Sequence, residues 1–309
     1  MIFLIDSTFV QQTAAYDLAR LVKGIMAHHH FISCEGEGNS MQAIVDKVKE
    51  EMGKTELQQL QQAFQLFSPT QLLKNYLTKI ECNLYTMRSL LLMVEKPSRI
   101  LVENEPYEWP VYCYIMDAYK NDPIFKNLFK LLHLAEHNRY LLSSHAGGKT
   151  QMGQLTDEQD KGEYHQVARF KWGVLFDRDS NDEHSFASQS NALFRFFWNG
   201  KEADTMTNAD VYNLKPTPSG YWVHVWYKRE IENYFPDSQI QKCHLSIPST
   251  FADSTSRNYT KLNLPKDALP NLPKGMNRKD FEATAEKFTV DGKCISEFQL
   301  LLLKWVKLI

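Results

Sequence analysis

The sequence predicts an α/β protein. A mostly parallel sheet flanked by helices is preceded by a mainly helical N-terminal region and closed by a helical tail. Two observations carry this expectation. Short apolar runs, "SRILV", "WGVLF" and "YWVHVWY", alternate with stretches of helical spacing, the order of βαβ units. The chain is also long enough for a sizeable core, with 309 residues of which 43% are hydrophobic and 12% aromatic, unlike a disordered segment.

Taken in order, "MIFLID" reads as a short buried strand and "AAYDLARLVKGIM" as a helix. "HHHFISCEGEGNS" reads as a strand running into a turn, and "MQAIVDKVKEEMG" as a helix ended by its glycine. "SPTQLLKNYLTKI" opens with Ser68 as N-cap, Pro69 at the first helical position and Gln71 completing a capping box; helix is expected to continue through "CNLYTMRSLLLMVE". Residues 1–95 thus form the helical N-terminal region. Residues 96–240 hold the sheet: "SRILVENE" as strand, a long helical stretch to His137, "RYLLSSHAGGKT" as strand and glycine turn, then "WGVLFDRDS" as strand. "SQSNALFRFFWNG" reads as helix, "SGYWVHVWY" as an aromatic strand, and "KREIENYF" as the start of a helix. Residues 241–309 read as a loop-rich segment closed by a pair of helices.

Formal net charge is −2, so binding to nucleic acid would rest on a local patch. Five scattered cysteines, with no CxxC pair, point to a reduced, cytoplasmic setting. The start lacks the basic and long apolar regions of a signal peptide. "FQLLLLKWVKLI" is shorter than the roughly 20 apolar residues of a membrane span, so no membrane partner is expected.

The chemistry-bearing residues sit at strand ends, where ligands gather in open parallel sheets. Glu103 ends one strand, and Asp177 and Asp179 end another. Carboxylates meeting there would repel one another unless a cation neutralised them. Oxygen ligands suit Mg²⁺ or Mn²⁺, and such ions promote phosphodiester cleavage. The plain alternative is a solvated turn, which aspartate also favours. "GGKT" has the end of a phosphate-loop motif, but Ser143 stands where its first glycine belongs, so an ATP-binding loop is rejected. Lys149 then reads first as a solvated lysine, with a phosphate contact as the alternative. Lys228 and Glu232, four apart in "KREIENYF", read either as a surface ion pair on a helix or as part of the site; Lys228 would stabilise charge on a cleaved phosphate.

In this order, "ILVENE", "SSHAGGKT", "GVLFDRDS" and "HVWYKREIENYF" resemble the Toprim domain, and within it the OLD-type (overcoming lysogenisation defect) nucleases and the Toprim effectors of PARIS-type anti-phage systems. The resemblance covers residues 96–240, and "KREIENYF" is its most specific element. It implies a Mg²⁺-dependent nuclease acting on DNA or RNA in bacterial defence. Glu103, Asp177, Asp179 and Glu232 would be the metal-binding acids and Lys228 the catalytic cation. It also implies a separate ABC-type ATPase as partner, and self-association into a homo-oligomer is a further expectation. Asn104 stands where the family has glycine after its glutamate, and Tyr107 where many members carry a further acid, one place before Glu108. These departures leave open a catalytically silent scaffold that binds a protein or nucleic acid. A phosphatase or nucleotidyl-processing enzyme using the paired aspartates on small phosphate esters is a third reading.

Weaker signals complete the inventory. Glu35 in "CEGEG" offers a rival first acid, but its distance from Asp177 is too long for the Toprim order. Asp6 faintly resembles the first acid of PIN-type nucleases. His28, His29 and His30 alternate between strand faces and read as structural. Trp222, Trp226 and Tyr227 read as core before base-stacking platforms. Lys274, Arg278 and Lys279 could contact phosphates, though a solvated loop is the default.

Overall fold

In the computed structural model, which describes all residues except 35–39, 67–70, 160–164, 184 and 248–253, the chain divides into two units, each with its own sheet. Both sheets contain parallel strand pairs flanked by helices. The units are discontinuous in sequence. The first comprises Met1–Ser98, Asp160–Lys171 and Lys307–Ile309; the second comprises Arg99–Gln159 and Trp172–Val306. The sequence reading instead drew unbroken segments, 1–95, 96–240 and 241–309.

In the first unit, β1 (Ile2–Leu4) runs parallel to both β2 (Phe31–Ser33) and β3 (Lys79–Glu81), in the order β2-β1-β3. The expected helix from Gln71 to Glu95 is therefore interrupted. Helix Gln71–Tyr76 stops, "KIE" joins the sheet, and a new helix, Met87–Glu95, starts from a Thr86 cap that accepts the Ser89 N–H at 3.2 Å. A three-residue strand with one buried side chain, Ile80, leaves no periodicity to read. Phe3, Val22, Ile25, Ile44, Leu90, Met93 and Val94 form the core here, joined by Val167 from the later segment. Asp6 caps helix Ser7–Gln12, accepting the Phe9 N–H at 2.7 Å and the Asn83 amide at 3.1 Å, which accounts for it without catalysis. His30 is held neutral by burial, its Nδ1 3.3 Å from the Met1 amino nitrogen. The chain's end closes this unit: the Thr78 hydroxyl donates to Lys307 O at 2.6 Å. The capping box at Ser68 and Pro69, and Glu35, lie outside the described residues.

The second unit is built on the order β5-β4-β6-β7, with β4 Ser98–Val102, β5 Leu141–His145, β6 Trp172–Phe176 and β7 Trp222–Val225. β6 is parallel to both β4 and β7, with Leu101 opposite Val174 and Phe176 opposite Val225. β6 and β7 are buried along their whole length. Parallel strands covered on both faces read as unbroken apolar runs, which is why "WGVLF" and "WVHV" show no alternation. The register brings the carboxyl ends of β4, β6 and β7 to one rim.

Helices Glu105–Tyr119 and Lys126–His137 connect β4 to β5, and helix Ser188–Phe197 lies between β6 and β7. Tyr112, Trp226, Phe298 and Trp305 interlock in the core. Trp226 is fully buried, so it supplies core and no exposed stacking surface. The expected closing helix pair proves to be helix Arg278–Thr284, an antiparallel hairpin of β8 (Lys287–Val290) and β9 (Lys293–Ser296), and helix Glu297–Val306. That last helix is buried on every side, its three polar residues Glu297, Gln299 and Lys304 each hydrogen-bonded within the core. Among the described residues no helix is long and apolar enough to cross a membrane.

Candidate functional site

Each strand of the rim delivers acids for a local reason. Glu103 directly follows β4, and the next helix begins at Glu105. Glu108, in that helix's first turn, folds back to accept the Asn104 N–H at 2.9 Å and is 7% exposed. This hydrogen bond satisfies a helix-end donor and aims a carboxylate at the rim. Glu105 turns aside instead and accepts the Ser143 hydroxyl at 2.6 Å.

Past the end of β6, Arg178 and the aspartates on either side of it face different ways. Arg178 is buried, donating to Tyr212 Oη at 3.0 Å with its guanidinium over the Phe186 and Tyr227 rings, while Asp177 and Asp179 line the rim cavity. That alternation is the physical content of "DRD". Asp179 adopts φ +55°, a left-handed turn that aspartate tolerates, and its N–H donates to Arg229 O at 3.0 Å. The Ser190 hydroxyl holds Asp177 O at 2.9 Å.

After β7, "EIENY" forms one turn of 3-10 helix, Ile231–Tyr234, where the sequence reading expects a longer helix. Pro236 explains the arrest, because the residue before it, Phe235, is held extended (φ −86°, ψ 131°), while Asn233 caps the start of the turn. The Asn233 side-chain oxygen accepts the Glu230 N–H at 3.1 Å, and its amide donates to Arg257 O and Thr260 O at 3.0 and 2.9 Å. Beneath this turn, buried Glu297 accepts the Tyr227 N–H at 2.7 Å and the Tyr234 hydroxyl. The loop carrying Glu230 and Glu232 is therefore anchored at both ends.

The products of these loops meet in one cavity of about 210 Å³, lined by Glu103, Glu108, Asp177, Asp179, Glu230 and Glu232. Lys149 is the buried cation that pairs with two of them, and Lys261 and Lys266 also line the cavity. The Lys149 side chain is 2% exposed, and its ammonium pairs with Glu103 Oε2 at 3.5 Å and with Asp179 Oδ2. Gly147 and Gly148 at φ +72° and +109° turn β5 into helix Lys149–Gln159 and direct this lysine inward. Lys149 is therefore not the solvated residue expected from sequence. Burial opposes its charge, but Asp177, Glu103 and Asp179 outweigh this and raise its pKa.

Lys149, with Lys261 and Lys266 at the mouth and Arg229 beside Glu230, still leaves more carboxyls than cations. Burial, with Glu103 adding to it, pushes Glu108 up to about 7. Burial and the neighbouring Glu230 push Glu232 up to about 7. Burial raises Asp177 well above the carboxylate range despite Lys149. Carboxyls forced to share protons in this way are the signature of an under-neutralised acid cluster.

The structure thus brings together Glu103, Asp177, Asp179 and Glu232, and adds Glu108, Glu230 and Lys149. It does not bring Lys228 to the cavity. Lys228 lies over the Tyr234 ring at 4.9 Å, drawn by Glu286 and Glu297. The i,i+4 reading fails because Lys228 precedes a 3-10 turn and is on no helix with Glu232. Lys266 reaches the Asn104 side chain at 3.1 Å and, with exposed Lys261, gives the cavity mouth a basic wall. Arg278 is engaged by Glu282 and Asp122, so it is not a free phosphate contact.

Carboxylate oxygens in excess are the donor set of Mg²⁺ or Mn²⁺. Among the described residues no group of three or more His, Cys, Asp or Glu side chains is gathered to hold an ion as it stands. The Lys149 ammonium already lies between Glu103 and Asp179, the place where a shared cation would sit. The residue types fit a divalent ion, and its entry would require that ammonium to give way. No protein-family model, curated protein or solved structure matches this chain.

Proposed function

We propose that the protein is a divalent-metal-dependent phosphodiester hydrolase with a Toprim-like catalytic unit, cleaving DNA or RNA as an effector of bacterial anti-phage defence. One observation carries the reading. Glu103 and Asp179, from two different strands, share a single cation, the Lys149 ammonium, in a cavity that Asp177 and Glu232 also line. Acids 76 positions apart in the chain, counted from Glu103 to Asp179, have no structural need to converge there.

In this reading Glu103, Asp177 and Asp179 hold Mg²⁺ or Mn²⁺, and Glu232 and Glu108 assist a second ion. Bound there, the metal supplies an activated water and stabilises the leaving oxygen. The chain's own groups do the rest. Lys149 takes the charge-stabilising role assigned by sequence to Lys228, because it alone of the two reaches the acids. Lys261 and Lys266 at the mouth receive flanking phosphates. A separate ABC-type ATPase and further copies of this chain belong to the same reading.

A second reading rests on Lys149. If its ammonium neutralises the acids permanently, the domain is a silent scaffold. Purified protein incubated with plasmid, single-stranded DNA and tRNA in Mg²⁺, Mn²⁺ or EDTA separates the two. A hydrolase cleaves at least one substrate in a metal-dependent way, and Asp177→Asn abolishes this while keeping the fold. A scaffold cleaves none, and Asp177→Asn leaves its binding intact.

A further inference from the structure

A second cavity, of about 550 Å³, lies between helix Lys149–Gln159 and helix Ser188–Phe197. We propose that it is a nucleobase-binding cleft for a single-stranded nucleic acid, seating a base adjacent to the scissile phosphate. The proposal rests on the hydrolase reading for its substrate class and goes beyond it in naming strandedness and the residues that grip the strand.

Three observations converge. The first is continuity: Lys149 lines this cleft and pairs with Glu103 and Asp179 of the acid cavity, so one side chain is the wall between the two. A chain whose phosphate sits among the acids passes its neighbouring nucleotide across that wall. The second is chemistry. The floor is apolar, with Leu193 and the Phe196 ring, and Phe196 is 42% exposed, so part of its ring is open to a ligand. Gln154 and Gln189 stand exposed at the sides, each with an amide able to donate and accept. An aromatic face flanked by amides meets both requirements of a base, stacking and edge hydrogen bonding. The third is size: about 550 Å³ falls within the range of small-ligand sites, suited to one or two nucleosides and too confined for a duplex.

A base reaches a concave cleft only outside a helical stack, and extracting it from a duplex costs a few kcal/mol. Single strands are therefore the preferred substrate.

The test measures fluorescence anisotropy of labelled ten-nucleotide single strands, DNA and RNA of one sequence, and of the DNA duplex, in EDTA so that binding is read without cleavage. Wild type is compared with Phe196→Ala, which removes the stacking face, and with Ala192→Trp, which fills the cleft from an exposed lining position. Thermal unfolding confirms that both variants fold. The expected result is tighter binding of a single strand than of the duplex, weakened about 5- to 100-fold in each variant. Equal binding by wild type and both variants, a preference for duplex, or no binding overturns the cleft. Repeating the assay with Mg²⁺ separates the two readings. Metal-dependent cleavage that neither variant alters removes the cleft and leaves the hydrolase. Cleft-dependent binding without any cleavage removes the hydrolase and leaves the cleft.

Discussion

Glu108 offers the sharpest test of the acid cluster, because burial and charge crowding act on it in a calculable way. It is 7% exposed, and its pKa is raised from 4.5 to about 7. At 1.36 kcal/mol per pH unit, that rise corresponds to about 3 kcal/mol of lost stability once the carboxyl ionises. Between pH 4.5 and 7 the folded state holds a proton that the unfolded state has released. Stability therefore falls as pH rises through this window, and the loss is complete above it. Glu108→Gln keeps the side-chain oxygen that accepts the Asn104 N–H at 2.9 Å but cannot ionise. The charge is shared with its neighbours, so the gain is smaller than the full figure. The variant should be more stable than wild type by about 1–3 kcal/mol at pH 8 and equal within about 0.5 kcal/mol at pH 4.5. For a unit of this size the gain at pH 8 corresponds to a rise in Tm of about 2–10 °C. Thermal unfolding from pH 4.5 to 8.5 in EDTA measures both proteins. A stability difference between variant and wild type that does not grow from pH 5 to 8, or a variant less stable at pH 8, would refute the raised pKa of Glu108 at this rim.

The remaining predictions concern the parts that hold the site together. Lys149→Met should lower metal-dependent cleavage by about 100-fold or more, whereas Lys228→Met should cost less than about 10-fold; initial-rate measurements on one substrate rank them, and the reverse order returns the role to Lys228. Glu297→Ala leaves the Tyr227 N–H and Tyr234 hydroxyl without their buried acceptor and should cost about 3–5 kcal/mol in urea unfolding. Glu297→Gln, which keeps an acceptor, should cost less. Gly148→Ala should cost about 1–2 kcal/mol in the same assay: φ there is +109° and a Cβ would meet nothing within 4 Å, so the penalty is backbone strain alone.

The rim acids were legible in sequence because parallel strands announce themselves. "SRILV", "WGVLF" and "WVHV" are buried apolar runs, and Glu103, Asp177 and Asp179 stand at or just beyond their ends. Lys149 was not legible. A lysine after two glycines is ordinarily solvated, and only the turn at Gly147 and Gly148 drives this one inward. Glu108 lay one place from the family's pattern, yet its spacing from Asn104 at a helix start was a readable signal. Lys228 was misplaced because helical spacing does not hold where the 3-10 turn begins only at Ile231 and Pro236 stops it after one turn. The β8–β9 hairpin was also marked: Asp291 and Gly292, at φ +49° and +75°, are the Asp-Gly pair that favours a two-residue turn.

Local sequence by itself determined which segments are apolar enough to be strands, where glycines and asparagines break them, and which acids follow. It could do so because those properties depend on a residue and its near neighbours. Only the tertiary structure decided that residues 160–171 and 307–309 rejoin the first unit. It alone selected the lysine that faces the carboxylates and set how far burial raises their pKa values. Those outcomes depend on which distant groups share a low-dielectric space, and pairwise electrostatics is set by separation in space, not along the chain.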